Sequence, residues 1–116
     1  MKEKLAILLW AAPLDEPERL RAPFVYAQAA AALDAEVEIH FSGATVRMLV
    51  ADAENREIKE YMKEVAAEGV RLLGCSSALK RHVLEGERMI VEFAGAAGAA
   101  SFAQRALDPA WRTLVF

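Results

Sequence analysis

Leu5-Ala6-Ile7-Leu8-Leu9-Trp10 is apolar at every position, with no polar residue to mark a solvent face. A strand written this way is covered on both sides, a condition met mainly in parallel sheets whose crossover helices lie over both faces. The run therefore predicts a central strand of an α/β sheet. The competing reading is a secretory leader with Ala11 and Ala12 at its cleavage point. Glu3 weakens the basic region such a leader needs, and removing the segment would strip a small domain of its most hydrophobic element.

Outward from that strand, Asp15-Glu16-Pro17 supplies cap-type acids and a proline suited to a first helical turn. Pro23 is expected to kink or restart the helix. Phe24 to Leu33, FVYAQAAAAL, is apolar nearly all the way round. That helix is expected to pack on the sheet with one side and on another subunit with the other. Val37 to Phe41 alternates as a strand, Ser42-Gly43 reads as a turn, and a short apolar helix follows from Thr45 to Val50. Ile58, Tyr61, Met62, Val65 and Ala66 fall at helical spacing, with Gly69 as the stop. Then come a strand Val70 to Gly74, a short helix to His82, a strand Met89 to Phe93, a helix Ala97 to Leu107 and a strand Arg112 to Phe116. Asp108-Pro109 closes the last helix. The alternation predicts one α/β domain over 1–116, a three-layer sandwich of about five mostly parallel strands flanked by helices.

The 116 residues suffice for a single core. A net charge of -3, with Lys and Arg scattered among acids, lacks the basic stripe that nucleic acid requires. No other apolar run is long enough to span a bilayer, so a soluble cytoplasmic protein without membrane or nucleic-acid partners is expected. One cysteine excludes an intramolecular disulfide, a CxxC pair and a cysteine-rich zinc site. No cofactor and no metal are expected. The glycine-rich stretch Phe93 to Ala99 has neither GxGxxG spacing nor a following Gly-Lys-Ser/Thr, and reads as a tight strand-to-helix turn. Neither a Gly-x-Ser-x-Gly elbow nor an HExxH pair appears.

In an open α/β sheet the ligand crevice lies at the carboxyl ends of the strands. Trp10-Ala11-Ala12-Pro13, Phe41-Ser42-Gly43 and Gly74-Cys75-Ser76 would converge there. Cys75 would sit where a strand ends and a helix begins, beside unpaired backbone N–H groups and the positive end of the helix dipole, which favours thiolate. The alternative is a small, inert, buried hydrophobe. Ser76 and Ser77 read as helix caps. Lys80 and Arg81 read as a solvated helix face, and His82, two turns on, as a surface histidine. His40 closes its strand at the crevice, where it either approaches the thiol or faces solvent. Cys75 is thus the candidate reactive residue, with Trp10, Ala11, His40, Ser42, Gly74, Ser76 and Ser77 as candidate binding residues around it.

The first apolar strand, the Ala-rich FVYAQAAAALDAEVEIHFS, the segment GATVRMLV, GVRLLGCSSALKR and the ending AGAAGAASFAQRALDPAWRTLVF occur in an order that resembles the DsrE/DsrF-like proteins of intracellular sulfur metabolism. The resemblance implies a homo-oligomer, a trimer or hexamer, in which Cys75 accepts sulfur as a persulfide from a donor protein and passes it to an acceptor protein. Two other readings use the same residues. One is a non-catalytic oligomeric module whose crevice binds a small ligand or a partner tail. The other is a thiol peroxidase or reductase, which would depend on an external thiol for want of a resolving cysteine.

Overall fold

The computed structural model describes residues 2–11, 14–53 and 55–116. The expected contribution of Ala12 and Pro13 to the crevice lies outside the described residues. The apolar run forms β1 (Lys4–Leu9), followed by α1 (Pro17–Ala32), β2 (Glu36–Phe41), a 3-10 segment (Gly43–Leu49), α2 (Arg56–Ala67) and β3 (Arg71–Gly74). Then come α3 (Ser76–His82), β4 (Phe93–Ala96), α4 (Ala99–Leu107) and β5 (Trp111–Val115). The five strands make one sheet in the order β4-β3-β2-β1-β5, and every neighbouring pair is parallel. The middle strand is β2, and β1 lies inside the sheet as its apolar run predicts, flanked by β2 and β5.

Parallel register sorts the side chains. Leu5, Ile7 and Leu9 stand beside Val37, Ile39 and Phe41, and Leu72 stands beside Ile39. On that face Leu20, Phe24 and Ala27 of α1 and Ile58, Met62 and Val65 of α2 complete the core. Both helices present their buried residues at three- and four-residue spacing, one stripe each. The opposite face carries Ala6, Leu8, Glu38, His40, Arg71 and Leu73, again by register. Among the described residues α4 packs over it against β1 and β5, and none of the residues of α4 is itself buried.

α1 runs unbroken through Pro23. The hydrogen bond a proline cannot make would serve the carbonyl of Arg19, an exposed residue. Both α1 and α2 end on a left-handed residue, Asp34 (φ 68°) and Gly69 (φ 92°). In each case the next two amides reach back to the last turn: Asp34 N–H to Ala31 O and Ala35 N–H to Ala30 O, then Gly69 N–H to Ala66 O and Val70 N–H to Val65 O.

The fourth strand is displaced from its expected place at Met89 to Phe93. Met89 makes only an isolated antiparallel bridge to Val50, and Ile90 N–H donates to Leu49 O. These bonds tie the segment to the 3-10 helix, so pairing with β3 begins at Phe93. The glycine-rich stretch read as a turn is therefore largely strand, with a bulge against Leu72/Leu73 and Gly95 at φ 136°. Among the described residues no helix is long and apolar enough to cross a membrane.

Candidate functional site

Four strand ends are stitched together by three backbone hydrogen bonds at the carboxyl edge of the sheet. Ser42 N–H donates to Leu9 O (2.9 Å), Cys75 N–H to Phe41 O (2.8 Å) and Ala97 N–H to Gly74 O (2.8 Å). The buried hydroxyl of Thr45 reinforces the first of these links, donating to Leu9 O at 2.7 Å and accepting from Ser42 N–H at 3.1 Å. A cavity of about 120 Å³ opens beside them, lined by Leu8, His40, Phe41, Ser42, Cys75, Ala97, Gly98, Ala99 and Phe102. Its walls are mainly apolar, with His40, Ser42 and Cys75 supplying the polar side chains.

Cys75 occupies the N-cap of α3 with an extended backbone, and its carbonyl accepts from Leu79 N–H at 2.9 Å. The half-buried sulfur lies 3.4 Å from Ser77 Oγ. The Ser77 hydroxyl, then the Ala78 amide, hold the thiol below its ordinary value; burial opposes them, and the Ser42 hydroxyl and Ser77 amide add to the lowering. A thiol so placed is a better source of thiolate than a free cysteine.

Behind the cavity lies a charge cluster that sequence reading missed. Glu38 is fully buried, yet its carboxylate accepts four hydrogen bonds: from Arg71 Nη1 (3.0 Å), Arg105 Nε and Nη2 (both 3.1 Å) and His40 Nε2 (3.0 Å). That fills its lone-pair sites. Burial pushes the Glu38 carboxyl up, but the hydrogen bonds from Arg105 and His40, together with the Arg105 charge, outweigh it and hold it below the usual carboxylate value. Arg105 also lies over the Trp111 ring, 4.3 Å from its centroid. Phe102, one turn earlier on α4, meets His40 edge-on at 5.3 Å.

Of the residues singled out by sequence, the fold gathers Cys75, His40 and Ser42 around the cavity and sets Ser77 against the sulfur. Trp10 and Ala11 are exposed and outside the lining, their amides bound to Phe116 O. Ser76 is exposed and also outside it. Gly74 acts behind the site: a Cβ there would lie 3.2 Å from both Leu49 Cδ1 and Leu79 Cδ1. Ala97 to Ala99 and Phe102 reach the cavity because the glycine-rich stretch pairs as a strand before α4 starts. Among the described residues no group of three or more His, Cys, Asp or Glu is arranged to hold a metal.

The profile of the DsrE/DsrF-like family matches residues 3–116. The chain belongs to that family. A DsrE/DsrF-like protein is associated with sulfur metabolism, and solved structures share this fold. The YchN protein of E. coli is 16% identical with a TM-score of 0.77, each chain covered over 100% of its length. MTH1491 of Methanobacterium thermoautotrophicum is 16% identical with a TM-score of 0.81, covering 99% of this chain and 100% of that one. BT1422 of Bacteroides thetaiotaomicron is 14% identical with a TM-score of 0.62, over 98% and 95% of the two chains. Comparison with curated protein sequences gives no match.

Proposed function

We propose that this DsrE/DsrF-like protein is a cytoplasmic sulfur carrier that holds sulfur as a persulfide on Cys75 and works as a homo-oligomer, a trimer or hexamer. The observation that carries this reading is the placement of the chain's one cysteine, half-buried at the mouth of a small cavity and more acidic than an ordinary thiol. Thiolate attacks the outer sulfur of a donor persulfide. A sulfur–sulfur bond forms at Cys75 as the donor's own bond breaks, and the donor leaves as its thiolate. An acceptor thiolate repeats the step on the loaded Cys75. Both halves are exchanges, so no oxidant is consumed. The apolar walls suit a soft, weakly hydrated sulfur atom.

Incubated with a persulfide-loaded sulfurtransferase, the wild-type protein should gain the mass of one sulfur atom per chain, reversibly under reductant, and Cys75→Ser should gain none. Serine is close in size and its hydroxyl can cap the start of α3, so lost loading reports chemistry and not collapse. A wild-type protein that takes up no sulfur would sink the carrier reading and leave the cavity as a binding site for a small ligand or a partner tail.

A further inference from the structure

The imidazole of His40 is 95% shielded from solvent and is held at one nitrogen only. Its Nδ1 is the one buried side-chain nitrogen or oxygen without a partner among the described residues. The partner at Nε2 settles the tautomer. Glu38, engaged by two guanidinium groups, is a carboxylate and can only accept, so Nε2 carries the hydrogen and the neutral ring keeps a lone pair at Nδ1. A buried lone pair left unmatched is unfavourable, so the site calls for a donor there. His40 lines the cavity that Cys75 also lines, and the cavity has room for a few waters or one small group. The strand register supports the juxtaposition. His40 pairs with Leu73 of β3, and Cys75, one residue past the end of that strand, is the N-cap of α3.

We propose that His40 is the proton acceptor for Cys75, taking the thiol proton on Nδ1 directly or through one water in the cavity, with Glu38 as its positioning residue. The inference rests on Cys75 being the reactive thiol of the proposed function. The proton then balances the exchange. Cys75 S–H gives its proton to Nδ1, and the resulting thiolate forms the new sulfur–sulfur bond. As the donor's bond breaks, its departing thiolate takes the proton back from the imidazolium and leaves as a thiol. His40 ends neutral, as it began.

The surroundings of the ring suit this cycle. From its own strand it faces Glu38, from β3 it meets Leu73 with Arg71 beyond, from β1 Leu8, and from α4 Phe102 and Arg105. Glu36 and Asp108 act on Arg105 from farther out. Glu38 accepts the Nε2 hydrogen throughout and so fixes the orientation of the ring. The two arginines keep Glu38 from taking that hydrogen outright.

The test follows Cys75 alkylation by iodoacetamide against pH in the wild type and in His40→Gln, which retains a donor for Glu38 but no titrating acceptor. His40→Gln should react about tenfold more slowly at neutral pH, with its profile moved to higher pH. Superimposable profiles would overturn the proposal. A second measurement needs no change at position 40, should that variant fail to fold. Nitrogen NMR of the wild-type ring should show hydrogen on Nε2, with an Nδ1 resonance that moves in Cys75→Ser. Hydrogen on Nδ1, or a resonance indifferent to Cys75→Ser, would refute it. Sulfur loading is scored separately, so an altered alkylation profile with no loading would overturn the carrier reading alone.

Discussion

Ser77 and Glu38 are the residues at which the chemistry of the site can be tuned without touching the thiol. Ser77→Ala removes the largest influence lowering the thiol, so its alkylation profile should move to higher pH with the fold intact. An unchanged profile would assign the acidity of Cys75 to the remaining amides. For Glu38 the readout is stability. Its carboxyl is more acidic in the folded chain than the ordinary value of 4.5, so the folded state binds the proton less readily than the unfolded one. Its contribution is therefore present above that value and is lost as the pH falls through the folded value. The wild-type Tm should drop as pH falls below about 4.5. Glu38→Gln should be about 2–3 kcal/mol less stable at neutral pH, because Arg105 and Arg71 lose their shared carboxylate. It should also show a shallower acid loss. An acid slope equal to that of the wild type would place the titrating group elsewhere.

At the scale of elements, two helices use the same C-terminal geometry with different residues. Gly69 adopts φ 92° at no steric cost, whereas Asp34 pays for φ 68°. Gly69→Ala should therefore destabilise by about 1 kcal/mol. Asp34→Gly should be neutral or stabilising by about 0.5 kcal/mol, since its exposed ion pair with Lys2 at 3.7 Å contributes little. Thermal denaturation resolves both, about 4 °C per kcal/mol in a domain of this size. Equal losses from the two substitutions would contradict the shared-geometry argument. The joint between β3 and α3 depends instead on close approach. Gly74→Ala would push against Leu49 and Leu79 and should destabilise by about 1–3 kcal/mol while displacing Cys75.

For the whole molecule, the two faces of the sheet are unequally covered. One is sealed by α1 and α2; over the other, among the described residues, lies α4, none of whose residues is buried. Val91 is 93% exposed, Leu107 84% and Tyr26 55%, within a chain that is 55% hydrophobic. We propose that copies of the same chain cover part of this apolar surface, as the oligomeric part of the proposed function requires. Light scattering at micromolar concentration should give a multiple of the 12.7 kDa chain. A stable monomer would remove the interface argument and, with it, the oligomeric part of the proposed function.

The sequence by itself determined the alternation of strands and helices, the buried first strand, the stop at Gly69 and the strand-to-helix junction carrying Cys75. Each of these is written in hydrophobic period, in turn chemistry or in a single residue type, and so can be read locally. His40 was legible as a crevice residue, but Glu38 and its partners could not be read that way. In Val37-Glu38-Ile39-His40-Phe41 the alternation sets Glu38 and His40 on one side of the strand, but a period of two shows which side a residue takes and not what covers it. The cover is α4, and the charge that matches Glu38 is Arg105, separated from it by 67 residues. The fourth strand was likewise settled by bonds between Leu49 to Ala51 and Arg88 to Ile90, which outweighed the apolar run around Met89. Only the tertiary structure decided these points, because each depends on a hydrogen bond or a charge supplied by a distant part of the chain.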